Sequence, residues 1–171
     1  MFWRFLVADD PTVERFIVRD VDSRLSARER YAVEEWVRSG RGMHAMRDHI
    51  CHNHVMNGGM WGARRGALKE SMAYLIESWP KDTYMADMEF LEAMVWPLLW
   101  PDHLAHDAYS CHSFPNSVSF PTRRRADFQH VGQVYDAEDL PRANDVFGDT
   151  CGGVMANTKA TCARRAAWVH G

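Results

Sequence analysis

The chain has 171 residues, 46% of them apolar and 25% charged, and its 20 basic against 23 acidic side chains leave a net charge of −3. With seven Trp and eight Phe available for a core, this balance excludes a mainly disordered chain and a collagen-like repeat. It also excludes a globally polybasic binder of nucleic acid.

The apolar start from Met1 to Val7 is broken at once by Asp9-Asp10 and Pro11. Phe16-Ile17-Val18 is then a short β-branched and aromatic run, which predicts a buried strand ending in Arg19-Asp20-Val21-Asp22. Ser26 and Glu29 have the spacing of a capping box, and Gly40 is placed to stop the helix. Leu25, Ala32, Val33, Trp36 and Val37 are expected on its apolar side. Met43 to Arg47 reads as a second strand, followed by a polar, His-rich loop from Asp48 to Asn57. Gly58-Gly59-Met60-Trp61-Gly62 is either a third strand or a tight turn.

Leu68 to Trp79 reads as a helix closed by Pro80. A further helix runs from Thr83 to about Trp96, with Met88, Leu91, Val95 and Leu98 at 3-4-3 spacing and Pro97 as its stop. His103 to Tyr109 is a candidate last strand. Beyond Cys111, Pro and Gly punctuate polar sequence with little periodicity, which predicts loops wrapping the domain and then a loose end. Strands alternating with helices over the first 110 residues argue for an α/β fold, in which ligands bind outside the carboxyl ends of the strands.

The longest strongly apolar stretch, Ala93 to Trp100, falls far short of the ~20 residues that cross a bilayer. No uninterrupted h-region with a small-residue cleavage site is present at the start. Cys51, Cys111, Cys151 and Cys162 have irregular spacing in a chain large enough to fold without staples. Reduced thiols and a cytoplasmic location are therefore expected.

Asp20 and Asp22 stand at i and i+2 where a strand runs into a loop. There the two carboxylates can converge on a hard cation, Mg2+ or Mn2+, whose shell phosphate oxygens often complete. Arg19 and Arg24 flank them and suit anionic phosphates, though a solvated turn with local ion pairs explains the same residues. In the loop from Arg47 to His54, the residues Arg47, Asp48 and His49 fit a polar rim that binds substrate hydroxyls. The loop's three His and Cys51 also admit zinc, with Cys111-His112 as a distant second pair, and a plain exposed loop is the third possibility.

Gly58 and Gly59 permit close backbone approach, and Trp61 beside them offers an aromatic face to a sugar or base. A tight turn with a core Trp accounts for the motif equally well. Asp87, early in its helix, is either a substrate-facing acid or base or a dipole-stabilised carboxylate. His106-Asp107 can complete a metal site, and Arg123 to Arg125 can grip phosphate or simply be solvated. No nucleophile elbow, P-loop or dinucleotide fingerprint is present.

In combination, Phe16 to Arg24, Glu29 to Trp36, His44 to His49, Gly58 to Gly62, Asp87 to Leu91 and His106-Asp107 resemble GT-A-type glycosyltransferases with a DxD motif. Their order and spacing are similar to those of the glycogenin, galactosyltransferase-like and mannosyltransferase-like groups. The resemblance covers residues 1–135 and implies a partial GT-A-like α/β fold, a mixed sheet flanked by helices, with 136–171 as an irregular tail. It implies metal-dependent transfer of a sugar from a nucleoside-diphosphate sugar to an acceptor hydroxyl.

On that reading Asp20, Asp22 and His106 hold Mn2+ or Mg2+, while Gly58, Gly59, Met60, Trp61 and Gly62 line the donor sugar. Arg19, Arg24, Arg47 and His49 are further donor or substrate contacts, and Asp87 and Asp48 are the candidate catalytic carboxylates. Such proteins usually carry Gln where Met88 stands. They also carry a βαβ segment ahead of the DxD, so a DxD at residue 20 leads to the expectation that this segment is missing. The sheet edge would then be covered by another copy or another chain. Two other readings are a non-catalytic sugar-, nucleotide- or partner-binding fragment of the same fold and a zinc-stabilised interaction module. Neither nucleic acid nor a membrane segment is expected.

Overall fold

The computed structural model describes residues 1–80, 85–110, 113–114, 116–124, 129–142, 150–151 and 154–155. A 3-10 helix, Phe2–Asp9, leads into β1, Arg15–Arg19. Next come α1, Ala27–Ser39, and the strands β2, Met43–Arg47, and β3, Met60–Arg64. After α2, Met72–Glu77, a helical run comprises α3, Ala86–Phe90, a π-helical turn, Leu91–Val95, and α4, Trp96–Leu99. A 3-10 turn, Trp100–Asp102, then delivers β4, His103–Asp107. The two-residue strands β5, Thr150–Cys151, and β6, Val154–Met155, pair antiparallel.

The chain is a mixed α/β protein. Its four-stranded sheet has the order β1-β3-β2-β4, with β3 antiparallel to both neighbours and β2 parallel to β4. The Gly-rich motif is thus a strand, and Gly58-Gly59 lie just before it. Within the strand Gly62 is a close-contact position, because a β-carbon there would strike the Phe16 carbonyl oxygen across the β1–β3 ladder.

Alternation along the strands separates two cores. On one face Trp61, Ala45, Val18 and Ala105 pack with Phe5, Met72, Phe90 and Leu91. On the other, Met46 and Met60 pack with Ala32 of α1 and with Phe120 and Val131. Helix α1 crosses this second face: Glu29 reaches Arg19 of β1 and Glu35 reaches His106 of β4.

The start of α1 is half of the expected capping box. Ser26 Oγ accepts from the Glu29 N–H at 3.2 Å, but the Glu29 side chain pairs with Arg19 instead of returning to Ser26. Leu25 lies outside the helix and is exposed, as is Val37, so the buried stripe is narrower than the sequence suggests.

Helix α2 is shorter than expected. Ser71 caps it, and Asp9 accepts from the Met72 and Ala73 N–H groups at 2.7 and 2.8 Å. The next helix does not stop at Pro97. In the π turn the Trp96 N–H reaches back to the Leu91 carbonyl, and Pro97 falls in the first turn of α4, where its missing N–H costs nothing. The expected start of this helix at Thr83 lies outside the described residues.

The segment after Phe114 covers the outer edge of β4. Val118 donates to the Ala105 carbonyl at 2.8 Å and accepts from the Asp107 N–H at 2.9 Å. Among the described residues no strand pairs with the outer edge of β1. Among the described residues no helix is long and apolar enough to cross a membrane.

Candidate functional site

Three parallel strands, β1, β2 and β4, end at one rim of the sheet, and the antiparallel β3 begins there. Asp20, Asp48, Asp107 and the Gly58-Gly59 pair therefore share that rim, as the strand-end rule for open α/β sheets requires.

At the β1 end, the Arg4 guanidinium pairs with the Asp20 carboxylate and donates to Asp87 Oδ2 at 2.7 Å. The glycine pair makes room for this cluster. A β-carbon on Gly58 would strike Arg4 Nη2 and approach Asp87 Oδ2 to 3.3 Å, and one on Gly59 would strike the Asp20 carboxylate. Asp20 keeps 44% of its side-chain exposure, and Asp22, further along the same turn, is exposed. Two carboxylates share one guanidinium here, which leaves one net negative charge at this end of the rim. Carboxylate oxygens suit a hard divalent cation.

His106, expected as a further ligand, is elsewhere. Arg19, Met60, Met46 and His106 form one row across the sheet, so Asp20 and His106 stand at opposite ends of it. Three strand spacings separate them, on the order of 14 Å. His106 is fully buried, with Nδ1 at 2.8 Å from His44 Nε2 and Nε2 at 3.2 Å from Glu35. His44 stacks on Trp36. Burial, with His106 and Arg19 as lesser causes, holds the His44 pKa well below the usual histidine value.

Asp48, expected as catalytic, is fully buried and saturated. Arg28 grips it with two nitrogens at 2.8 and 2.9 Å, Arg124 donates at 2.5 Å, and the Val131 N–H donates at 3.0 Å. No face of the carboxylate is left for a substrate, so its role is to clamp α1 and the segment after Phe120 to the end of β2.

Arg47 is likewise internal. It donates to Asp107 at 2.6 Å, the Val55 carbonyl at 2.7 Å and Ser117 Oγ at 2.6 Å, and burial lowers its pKa. Asp107 also accepts from the Tyr109 and Ser110 N–H groups.

Met60 and Trp61 are core residues. Trp61 is fully buried against Phe5 and Phe16, because strand alternation turns it to the helical face, so it offers no surface to a sugar. Arg19 is held by Glu29, with a longer contact of 3.5 Å to the Gly59 carbonyl. Arg24 pairs with Asp139 at 2.6 Å on the surface.

The His-rich loop keeps His49 buried, with its Nδ1 accepting from the Cys51 N–H at 3.2 Å. His130 stacks on the His49 ring, and His52 packs against both. Burial first, and the neighbouring imidazoles second, push the His130 pKa down to about 4 and that of His52 well below its usual value. Cys51 is disulfide-bonded, which overturns the expectation of reduced thiols and removes its sulfur as a zinc ligand. Cys111-His112 lie outside the described residues.

A cavity of about 560 Å³ opens beside Arg47, lined by Trp96, Trp100 and Phe114 among others. It borders the helical run whose first turn carries Asp87.

Arg4, Arg28, Arg124 and His130 are the residues that sequence reasoning missed or left open. A lone Arg inside the apolar start of the chain was the available signal for Arg4. Nothing local marks His130 as a partner of His49.

No family model matches the chain, and no matching curated protein or solved structure was found.

Proposed function

We propose that the chain binds a nucleoside-diphosphate sugar at the Asp20 rim and transfers the sugar to an acceptor hydroxyl. The observation that carries this reading is the convergence of Asp20 and Asp87 on Arg4 over Gly58-Gly59, at the rim where three parallel strands end. Asp20 and Asp22 would hold Mn2+ or Mg2+. When bound, the cation neutralises the diphosphate leaving group.

Arg4 holds Asp20 and Asp87 in place by charge-assisted hydrogen bonds and limits their mutual repulsion. Asp87, 14% exposed on its side chain, is the carboxylate placed to orient an acceptor hydroxyl or take its proton. The cavity lined by Trp96 and Trp100 supplies apolar faces suited to a sugar ring on the acceptor side. The outer edge of β1, unpaired among the described residues, is where a second copy or another chain would add a strand.

The disulfide at Cys51 favours an oxidising compartment over the reducing cytoplasm expected from the sequence.

The test is thermal stability with Mn2+ and a panel of nucleoside diphosphates, followed by nucleotide release from the matching sugar donors. A cation-dependent rise in Tm that Asp22→Asn abolishes supports the reading. No rise with any nucleotide sinks it. The contact of Arg4 with Asp20 favours a second reading, a non-catalytic binder whose guanidinium meets the diphosphate. Binding without cation dependence and without turnover selects it.

A further inference from the structure

On the same rim, beyond the end of β2, two stretches of chain bring three imidazoles together. One ring nitrogen from each of His49, His52 and His130 lies within 4.8 Å of the other two. A side-chain clamp builds the placement: Oδ2 of Asp48, next to His49, accepts from the N–H of Val131, next to His130, at 3.0 Å. Aromatic packing accounts for the ring stack but not for the nitrogens. Nδ1 of His52 and Nδ1 of His130 are buried without a hydrogen-bond partner, and His130 is only 6% exposed. A buried polar atom without a partner is costly, and a ligand bound by these nitrogens would remove that cost.

We propose that His49, His52 and His130 form a binding site for a borderline transition-metal dication, zinc above all, which ties the loop after β2 to the segment after Gln129. Three imidazole nitrogens select Zn2+ over Mn2+ or Mg2+, so this site is chemically distinct from the carboxylates at Asp20. Zn–N bonds of about 2.0–2.1 Å in a tetrahedral shell bring the nitrogens to roughly 3.4 Å, an approach that small ring rotations supply. Asp48 is committed to Arg28, Arg124 and Val131, and Cys51 to its disulfide, so solvent takes the remaining position.

The full chain, stripped with a chelator and titrated with Co2+, is expected to bind one equivalent with visible absorption bands of a nitrogen-ligated ion. Zn2+ should displace it and raise Tm, while Mn2+ should not displace it. His130→Gln and His52→Asn should each weaken Zn2+ binding by more than the roughly 10- to 100-fold that a supporting residue costs. His54→Gln, on the same loop but facing Glu92, should keep wild-type affinity.

Absence of visible bands and of a zinc-dependent Tm rise in the unmodified chain overturns the proposal, and so does affinity retained in both ligand variants. Titration of the unmodified chain decides between the outcomes even if a variant misfolds. Asp22→Asn should leave the Co2+ spectrum intact, which separates failure here from failure of the nucleotide-sugar reading.

Discussion

The Asp20 carboxylate occupies the space where a β-carbon on Gly59 would stand. Glycine at 59 is therefore a steric condition for Asp20 to reach Arg4, whatever ligand the rim takes. Gly59→Ala should cost about 1–3 kcal/mol, the usual range for overpacking, and should abolish any Tm response to nucleotide. Urea denaturation measures the first effect. An unchanged midpoint would show that Asp20 can leave without consequence.

Arg4 is the only described cation bonded to both Asp20 and Asp87. Arg4→Met should destabilise the fold and leave two facing carboxylates that a cation can replace the guanidinium between. Millimolar Mn2+ should raise the Tm of this variant by more than it raises that of the parent chain. Equal shifts in the two proteins would refute the electrostatic role given to Arg4.

Asp48→Ala removes the acceptor that Arg28 and Arg124 share in a buried setting. Leaving such charges uncompensated costs about 3–5 kcal/mol, so the variant should be strongly destabilised. A catalytic Asp48 would behave otherwise, with near-parental stability and lost turnover. Denaturation midpoints alone distinguish the two.

His44 is neutral in the fold because burial holds its pKa well below the usual 6.5. The unfolded chain takes up the proton first as pH falls, so the contribution of His44 to stability is complete above about pH 6.5 and declines below it. His52 and His130 act in the same direction, His130 until its own pKa of about 4. His44→Phe keeps a ring beside Trp36 and should flatten the decline by up to about 1.4 kcal/mol per pH unit. Midpoints at pH 7.5, 6.5 and 5.5 give the slope, and identical slopes would contradict the assignment.

The elements that depend on neighbouring residues were legible in the sequence. The strands β1, β2 and β4 fall at the segments expected for them, β1 on its β-branched run, and Ser26 and Gly40 bound α1 as their chemistry requires. What was not legible depends on distant partners. Glu29 fits a capping box by spacing, but Arg19 competes successfully for its carboxylate. Pro97 reads as a stop because a π turn just before it cannot be foreseen from periodicity. Trp61 looks like a ligand platform until the pairing of β3 with β1 and β2 sets which face it takes. Asp48 has an acid's chemistry, and only the fold reveals the two arginines that consume it.

The reversed direction of β3 has a consequence for how this rim can vary. The twelve-residue connection 48–59 leaves the sheet from β2 and re-enters it through β3 at the same rim. Both of its ends are pinned, by Asp48 to its arginines and by Gly58-Gly59 under Arg4. Between them Val55, Met56 and Asn57 are buried, so residues inserted or removed would be absorbed only in the more exposed stretch 50–54, leaving strand register and the carboxylate cluster untouched. The histidine-bearing loop can therefore change length and ligand while the chemistry at Asp20 stays fixed.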